Sequence, residues 1–408
     1  MKLKVACALA LLAGCSESVE SRLLPEASTA VDLGVVEDRA SVDDVAPEDV
    51  AMDAGAPDVF VAEDLPPVED AGPDRDVPIV EDLPPALDVP PATDDVGVAN
   101  DASPEADAGP REDLGARGPF TVATWTGSVS GVSGTTRIHY PSSGAGRHPL
   151  VVFAHGFQLA TNNYDGLLTH IASWGFVVAS VDYPGTLLGV DHRNVPVAIA
   201  AARALIEAGR VDFPGRDRVR AGRSVAMGHS LGGKGAIMAL LSDTAFVAGV
   251  ALDPVDDNPA PLGQVNERAP SIAPERMGGL ARPLALFGAT QSRCAQLGTS
   301  CAPEGSNWQR FAESAPATAT VARFPLNNFG HNDFVDTACG FQCTVCARGA
   351  APIDTRARAL RLLATAFLYR YALDDARYQG WVNGAERAAL VRAGVLWDEN
   401  PATLPACR

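Results

Sequence analysis

Aromatic side chains are almost missing from the first quarter of this 408-residue chain, where Phe60 is the only one before Phe120. A segment so poor in aromatics has too little apolar surface to offset the entropy of ordering. Basic residues are scarce there as well: residues 16–118 hold 28 Asp and Glu against 5 Lys and Arg, a net of −23. The whole chain carries −18, so the remainder sums to +5 and is close to neutral. No stretch has the Lys/Arg density of a nucleic-acid surface, which excludes that class of partner. The apolar run Val5–Ala13 is too short to cross a bilayer as a stable helix.

What stands at the start reads as an export signal over residues 1–14. Lys2 and Lys4 form its positive end and Val5–Ala13 its apolar core. Leu12-Ala13-Gly14-Cys15 resembles a bacterial lipobox. That resemblance implies cleavage before Cys15, a diacylglycerol on its sulfur and a bacterial lipoprotein. Ser16 rather than Asp after the cysteine points to the outer membrane. Plain secretion, with Cys15 as a stray thiol, is the alternative. Residues 15–118 then read as a lipidated cysteine followed by a disordered, acidic, Pro/Ala-rich linker, with repeats such as Glu63-Asp64-Leu65-Pro66-Pro67 and Glu81-Asp82-Leu83-Pro84-Pro85. A coil of this length would reach roughly 50–60 Å end to end and serve as a tether.

Residues 119–408 read as the catalytic domain with a C-terminal extension. Pro149–Ala154 and Phe176–Val181 are continuous apolar runs, as expected of strands buried on both faces. Further strands are predicted at Phe120–Trp125, Thr135–Tyr140, Arg223–Met227, Val247–Leu252, Pro283–Gly288 and Thr318–Leu326. Helices are predicted at Tyr164–Ser173, Val195–Ala208, Lys234–Leu241 and Ile353–Leu373. Strands alternating with helices mean an α/β fold, a mostly parallel sheet covered on both faces. The tail, 374–408, is expected to be a packed extension closed by Cys407.

Six cysteines remain in this part: Cys294, Cys301, Cys339, Cys343, Cys346 and Cys407. An exported chain favours disulfides. A local Cys294–Cys301 loop is expected, with the other four pairing among themselves and holding the C-terminus near the 339–346 loop. Cys339-x3-Cys343-x2-Cys346 also has iron–sulfur spacing, but an exported chain without a barrel pattern is the wrong setting for it. No metal or cofactor is expected.

The chemistry gathers around Met227-Gly228-His229-Ser230-Leu231-Gly232-Gly233. A serine between glycines, after an apolar strand and before a helix, reads as a nucleophile elbow. Its hydroxyl needs a base, and the base an orienting acid, in the chain order serine, acid, histidine. Only His331, of seven histidines, follows Ser230. Asp253, ending a predicted strand, is the favoured acid, with Asp256 and Asp257 held as alternatives. The amides of Leu231 and of Phe157, in His155-Gly156-Phe157, are expected to form an oxyanion hole. His155 is expected to brace that loop and His229 to pack, while Lys234 either supports the site or is solvated.

Together H-G-F, G-H-S-L-G-G-K, L-D-P-V and F-G-H-N-D-F-V-D resemble the chlorophyllase-type branch of the α/β-hydrolases, near the dienelactone-hydrolase and platelet-activating-factor-acetylhydrolase groups. The resemblance covers about residues 119–373. It implies an α/β-hydrolase fold, carboxylic-ester hydrolysis by a serine mechanism and an acid at Asp253. The opening G-P-F-T-V also resembles bacterial cutinase-like polyester hydrolases. The expectation is a serine carboxylesterase on a lipid anchor at Cys15 in the outer membrane. It would be a monomer and act on a small-molecule or polymeric ester. A polyester or lipid hydrolase is the alternative within enzymes, and a non-catalytic surface-binding protein on a hydrolase scaffold the alternative outside them.

Overall fold

The computed structural model describes residues 112–186, 189–256, 267–298, 300–336 and 343–407. The expected signal, Cys15 and nearly all of the acidic linker therefore lie outside the described residues, as do Asp257 and Cys339.

Eight strands form one sheet in the order β1-β2-β4-β3-β7-β8-β9-β10. They are β1 (Val122–Gly127), β2 (Ser133–Pro141), β3 (His148–Ala154), β4 (Val177–Asp182), β7 (Val219–His229), β8 (Phe246–Leu252), β9 (Leu284–Ala289) and β10 (Val321–Leu326). The pair β5 (Gly185–Thr186) and β6 (Gly189–Val190) makes a separate small ribbon. β1 and β2 are antiparallel, β2 meets β4 antiparallel, and every later pairing is parallel. This is the expected α/β-hydrolase architecture, a mostly parallel central sheet with helices on both faces.

The apolar runs explain how it is covered. In β3, Leu150, Val152 and Ala154 join one core cluster while Val151 and Phe153 join the other. That alternation follows from side chains pointing to opposite faces along a strand. The first cluster packs under α2 (Asn194–Glu207) and α3 (Leu231–Ser242), through Ile199, Ile237 and Leu240. The second packs under α1 (Asp165–Ser173) and α5 (Ile353–Ala372), through Leu168, Leu363 and Phe367. Leu114 joins the second cluster as well.

Three short helices lack a clear sequence signal: α4 (Trp308–Ser314), α6 (Gln379–Asn383) and α7 (Ala385–Arg392). The last two belong to the tail, which closes the open edge of β10. Asn327 donates to the Val395 carbonyl at 2.9 Å and Trp397 to that of Pro325 at 2.8 Å. Leu326 and Leu396 form an antiparallel bridge. Covering an edge strand removes a template for unwanted pairing.

The cysteine pairing differs from the expected one. Cys294 bonds Cys407 and Cys301 bonds Cys346. The expected Cys294–Cys301 loop does not form, because each cysteine faces a different segment. The tail runs across the turn at 291–294, where Arg293 donates to the Pro405 carbonyl at 2.7 Å. Gln296 instead reaches the Thr344 carbonyl at 2.6 Å, beside Cys346. Cys343 is also disulfide-bonded. The C-terminus is thus held to the 294 turn rather than to the 339–346 loop.

Candidate active site

The parallel strands end in line. Ala154 pairs with Gly228, Gly228 with Ala251, Leu252 with Phe287, and Ala289 with Leu326. The residues just beyond these ends share one edge, where open α/β sheets hold their ligands. His155, Ser230, Asp253 and the loop to His331 all leave the sheet there.

Ser230 sits between β7 and α3 at φ 55° and ψ −118°. This is a strained conformation for a residue with a side chain, and such strain persists only where the surroundings enforce it. Two glycines permit it. A Cβ on Gly228 would strike the Gly232 carbonyl, and one on Gly232 would strike the carbonyl of Ala154. The Ser230 amide donates to the Leu252 carbonyl at 2.9 Å. Its side chain is left partly exposed at the N-terminus of α3.

The Ser230 hydroxyl lies 2.9 Å from Nε2 of His331, whose Nδ1 lies 2.7 Å from Oδ2 of Asp253. An ionised carboxylate can only accept, so Nδ1 carries the ring hydrogen and Nε2 is free to accept from the serine. Asp253 is fully buried, yet every oxygen is engaged. Oδ1 accepts the Ala289 amide at 3.0 Å, and Oδ2 also accepts the Ser292 hydroxyl at 2.5 Å. His331 opens a short 3-10 turn, His331–Phe334. Asp333 holds that turn by accepting the amides of Gly330 at 2.7 Å and Gly349 at 3.0 Å while paired to Arg356.

β3 and β7 pair at their ends and the Ala154 and His155 carbonyls lie against Gly232, so the His155–Phe157 loop leaves the sheet beside the elbow. His155 braces this loop. Its Nε2 meets Asp182 at 2.9 Å, its ring stacks on Tyr183 at 4.5 Å, and its carbonyl accepts the Tyr183 hydroxyl at 2.8 Å. Asp182 is held below the usual carboxylate range: its hydrogen bond and charge contact with His155 outweigh the effect of burial. A cleft of about 540 Å³ borders the loop, lined by His155, Phe157, Leu159, Tyr183 and Val190 among others.

A family model described as chlorophyllase matches residues 122–388. The chain belongs to the chlorophyllase family. Chlorophyllase-1 of Citrus sinensis is 27% identical over 241 residues, 57% of this chain and 71% of that protein. Bis(hydroxyethyl) terephthalate hydrolase of Streptomyces coelicolor is 31% identical over 219 residues, 53% of this chain and 61% of that one. Cutinase est1 of Thermobifida alba is 26% identical over 276 residues, 67% of this chain and 78% of the relative. The family and fold read from the motifs therefore hold.

In this chlorophyllase-family chain Lys234 is neither solvated nor at the reacting atoms. It is fully buried in α3, the one lysine outside the first four residues. Its Nζ donates to the Pro270 carbonyl at 2.7 Å, to that of Asp256, and to His192 at 3.2 Å. Asp256, one of the alternative acids, lies 3.4 Å from Lys234 and 3.3 Å from Arg310. It serves that ionic cluster and not His331. Ser292, Asp333 and Tyr164 were missed by sequence reasoning; Ser292, in the turn after β9, donates its hydroxyl to Asp253. Among the described residues, no group of three or more His, Cys, Asp and Glu is placed to hold a metal.

Proposed function

We propose that this protein hydrolyses carboxylic esters by a serine mechanism in which Ser230 attacks, His331 carries the proton and Asp253 orients His331. That it is an ester hydrolase accords with its family and with relatives named as hydrolase and cutinase. The finer reading is supported by one observation above all, the chain of hydrogen bonds at 2.9 and 2.7 Å from Ser230 through His331 to Asp253.

As the Ser230 oxygen bonds to the ester carbonyl carbon, its proton passes to Nε2 of His331. Asp253 stabilises the resulting imidazolium. The carbonyl oxygen becomes an oxyanion, met by the amides of Leu231 and Phe157 and by the positive end of α3. The C–O bond breaks, the alcohol leaves with the proton from His331, and an acyl-serine remains. Water repeats the sequence and releases the acid. The bordering cleft, with Phe157, Leu159, Tyr183 and Val190, suits an apolar or aromatic part of the ester. The relatives named for bis(hydroxyethyl) terephthalate and as a cutinase favour a second reading on the same machinery, the hydrolysis of aromatic or polymeric esters. The lipobox-like Leu12–Cys15 carries the further proposal that Cys15 anchors the enzyme to the outer membrane. Cys15→Ala should then release it from the membrane fraction.

Ser230→Ala and His331→Ala should each lower turnover of a short p-nitrophenyl ester by about 10⁴–10⁶-fold. Asp253→Ala should lose less but still heavily. Undiminished turnover in either of the first two would overturn the mechanism. Labelling of Ser230 by a fluorophosphonate would set aside a purely binding role.

A further inference from the structure

His229 stands beside Ser230 in the chain, yet no step above uses it. Its ring is fully buried and lies 4.8 Å from that of His331, centroid to centroid. Both nitrogens are engaged: Nε2 lies 2.9 Å from the His331 carbonyl oxygen, and Nδ1 lies 2.8 Å from the Tyr164 hydroxyl. Tyr164 is fully buried too, and its oxygen lies 3.0 Å from the Gly156 amide nitrogen.

The direction of each bond follows from what each group can do. A carbonyl only accepts, so Nε2 of His229 carries the hydrogen. The Gly156 amide only donates, so the tyrosine oxygen accepts there and turns its own proton toward Nδ1. The three bonds run one way: Gly156 N–H to Tyr164, Tyr164 O–H to His229, His229 N–H to the His331 carbonyl. Only a neutral His229 completes this relay. A second proton would leave the tyrosine hydroxyl hydrogen with no acceptor. Desolvation by burial, reinforced by the neighbouring His331, does hold the ring well below the usual imidazole range.

The relay joins three segments that the fold delivers separately. Gly156 belongs to the loop after β3, His229 ends β7, and His331 lies beyond β10. His229 is itself held in the sheet by pairing with Leu252. We infer that His229 and Tyr164 are positioning residues for the proposed hydrolysis, holding the backbones of His331 and of the Phe157 loop in register with Ser230. The inference rests on the serine mechanism above and extends it, since neither side chain touches the reacting atoms. A fully satisfied buried network of this kind is rigid, and misplacing catalytic groups by about 1 Å can cost about 100-fold in rate.

The test uses Tyr164→Phe, which deletes one oxygen from a ring that stays packed, together with His229→Phe and His229→Gln, whose amide retains a donor for the His331 carbonyl. Each is assayed for kcat and KM on a p-nitrophenyl ester, for thermal midpoint, and for the strongly deshielded His331 Nδ1 proton by ¹H NMR. Ser230→Ala is measured alongside. Tyr164→Phe and His229→Phe should lower kcat about 10- to 100-fold with KM changed by less than about twofold, and should shift or broaden the deshielded resonance. His229→Gln should recover part of both. The double variant Tyr164→Phe/His229→Phe should lose little more than His229→Phe alone, because either break opens the same relay. Losses that multiply, or a kcat and resonance unchanged in folded variants, would overturn the inference. If His229→Phe fails to fold, Tyr164→Phe decides: kcat and resonance move together or the inference is lost. Turnover retained by Ser230→Ala would sink the serine mechanism and this inference with it. Turnover lost there but intact in the Tyr164 and His229 variants would sink the inference alone.

Discussion

Asp253 is held at φ 42°, a conformation that costs an ordinary residue about 1–3 kcal/mol. The fold sustains it because Asp253 closes β8 with its amide on the Phe287 carbonyl at 2.7 Å. The carboxylate then falls among three donors: His331, the Ala289 amide and the Ser292 hydroxyl. Ser292→Ala removes one of them without touching Ser230 or His331. A hydrogen bond to a buried charged group contributes about 1.5–3 kcal/mol, so Ser292→Ala should lower unfolding stability by that amount. Its ester turnover should fall less than that of Asp253→Ala. Urea unfolding checks the first claim, and unchanged stability would show that the hydroxyl is not a supporting donor. At this scale the sequence was legible where chain order applies, since one histidine follows Ser230. Ser292 and Tyr164 were not, because their partners lie 39 and 65 residues away and only the folded sheet brings them together.

The helix α3 shows what an element can carry beyond its own pattern. It is apolar on every side and buried from Leu231 to Leu240, so Lys234 is the lone charge within it. Burying an ammonium is tolerable only with a paired charge and full hydrogen bonding. Asp256 supplies the charge, and is itself fixed by the amides of Ile272 at 2.9 Å and Ala273 at 3.2 Å. The elbow helix is thereby pinned to the segment after β8. Lys234→Met keeps the volume but removes the fully buried partner of Asp256, leaving the partly exposed Arg310 beside it, and should cost about 3–5 kcal/mol of stability in urea unfolding. A loss under about 1 kcal/mol would mean that Arg310 alone compensates Asp256. The strands were readable because short continuous apolar runs bounded by turn residues fit strands buried on both faces. The helices of the tail were not, because their role is to cover β10 and they bury few side chains of their own: none in α7, Val382 alone in α6. Lys234 was ambiguous for a related reason. A lysine on a helix is solvated by default, and only the arrival of Asp256 reverses that.

For the whole molecule, charge and cysteine pairing are the global properties. The acidic excess was visible at once because it is confined to one segment, whereas the pairing of Cys294 with Cys407 depends on how the tail runs past the turn at 291–294. Stability against acid is global in the same sense, because it sums over scattered buried histidines. His170 is pushed down to about 4, first by burial, with its Nε2 on the Leu114 carbonyl opposing that at 2.9 Å. His192 is pushed down to about 4 by burial and then by Lys234 beside it. His229, fully buried, is lowered in the same direction. An unfolded histidine titrates near 6.5, so between about 6.5 and 4 the unfolded chain binds protons that the folded protein refuses. Stability therefore rises with pH across this window and is lost on acidification, by roughly 1.4 kcal/mol per pH unit for each fully linked histidine. Asp336 opposes the trend, since burial raises its carboxyl and favours the folded form as it takes up a proton. His148 is lowered by burial as well, so one group against four leaves the sign unchanged. Urea midpoints should be level above about pH 7 and fall steadily from pH 6.5 to 4.5. The fall should be shallower in His170→Gln, which no longer titrates. A midpoint flat or rising as the pH drops through that window would mean these rings become charged inside the fold and are not held neutral by it.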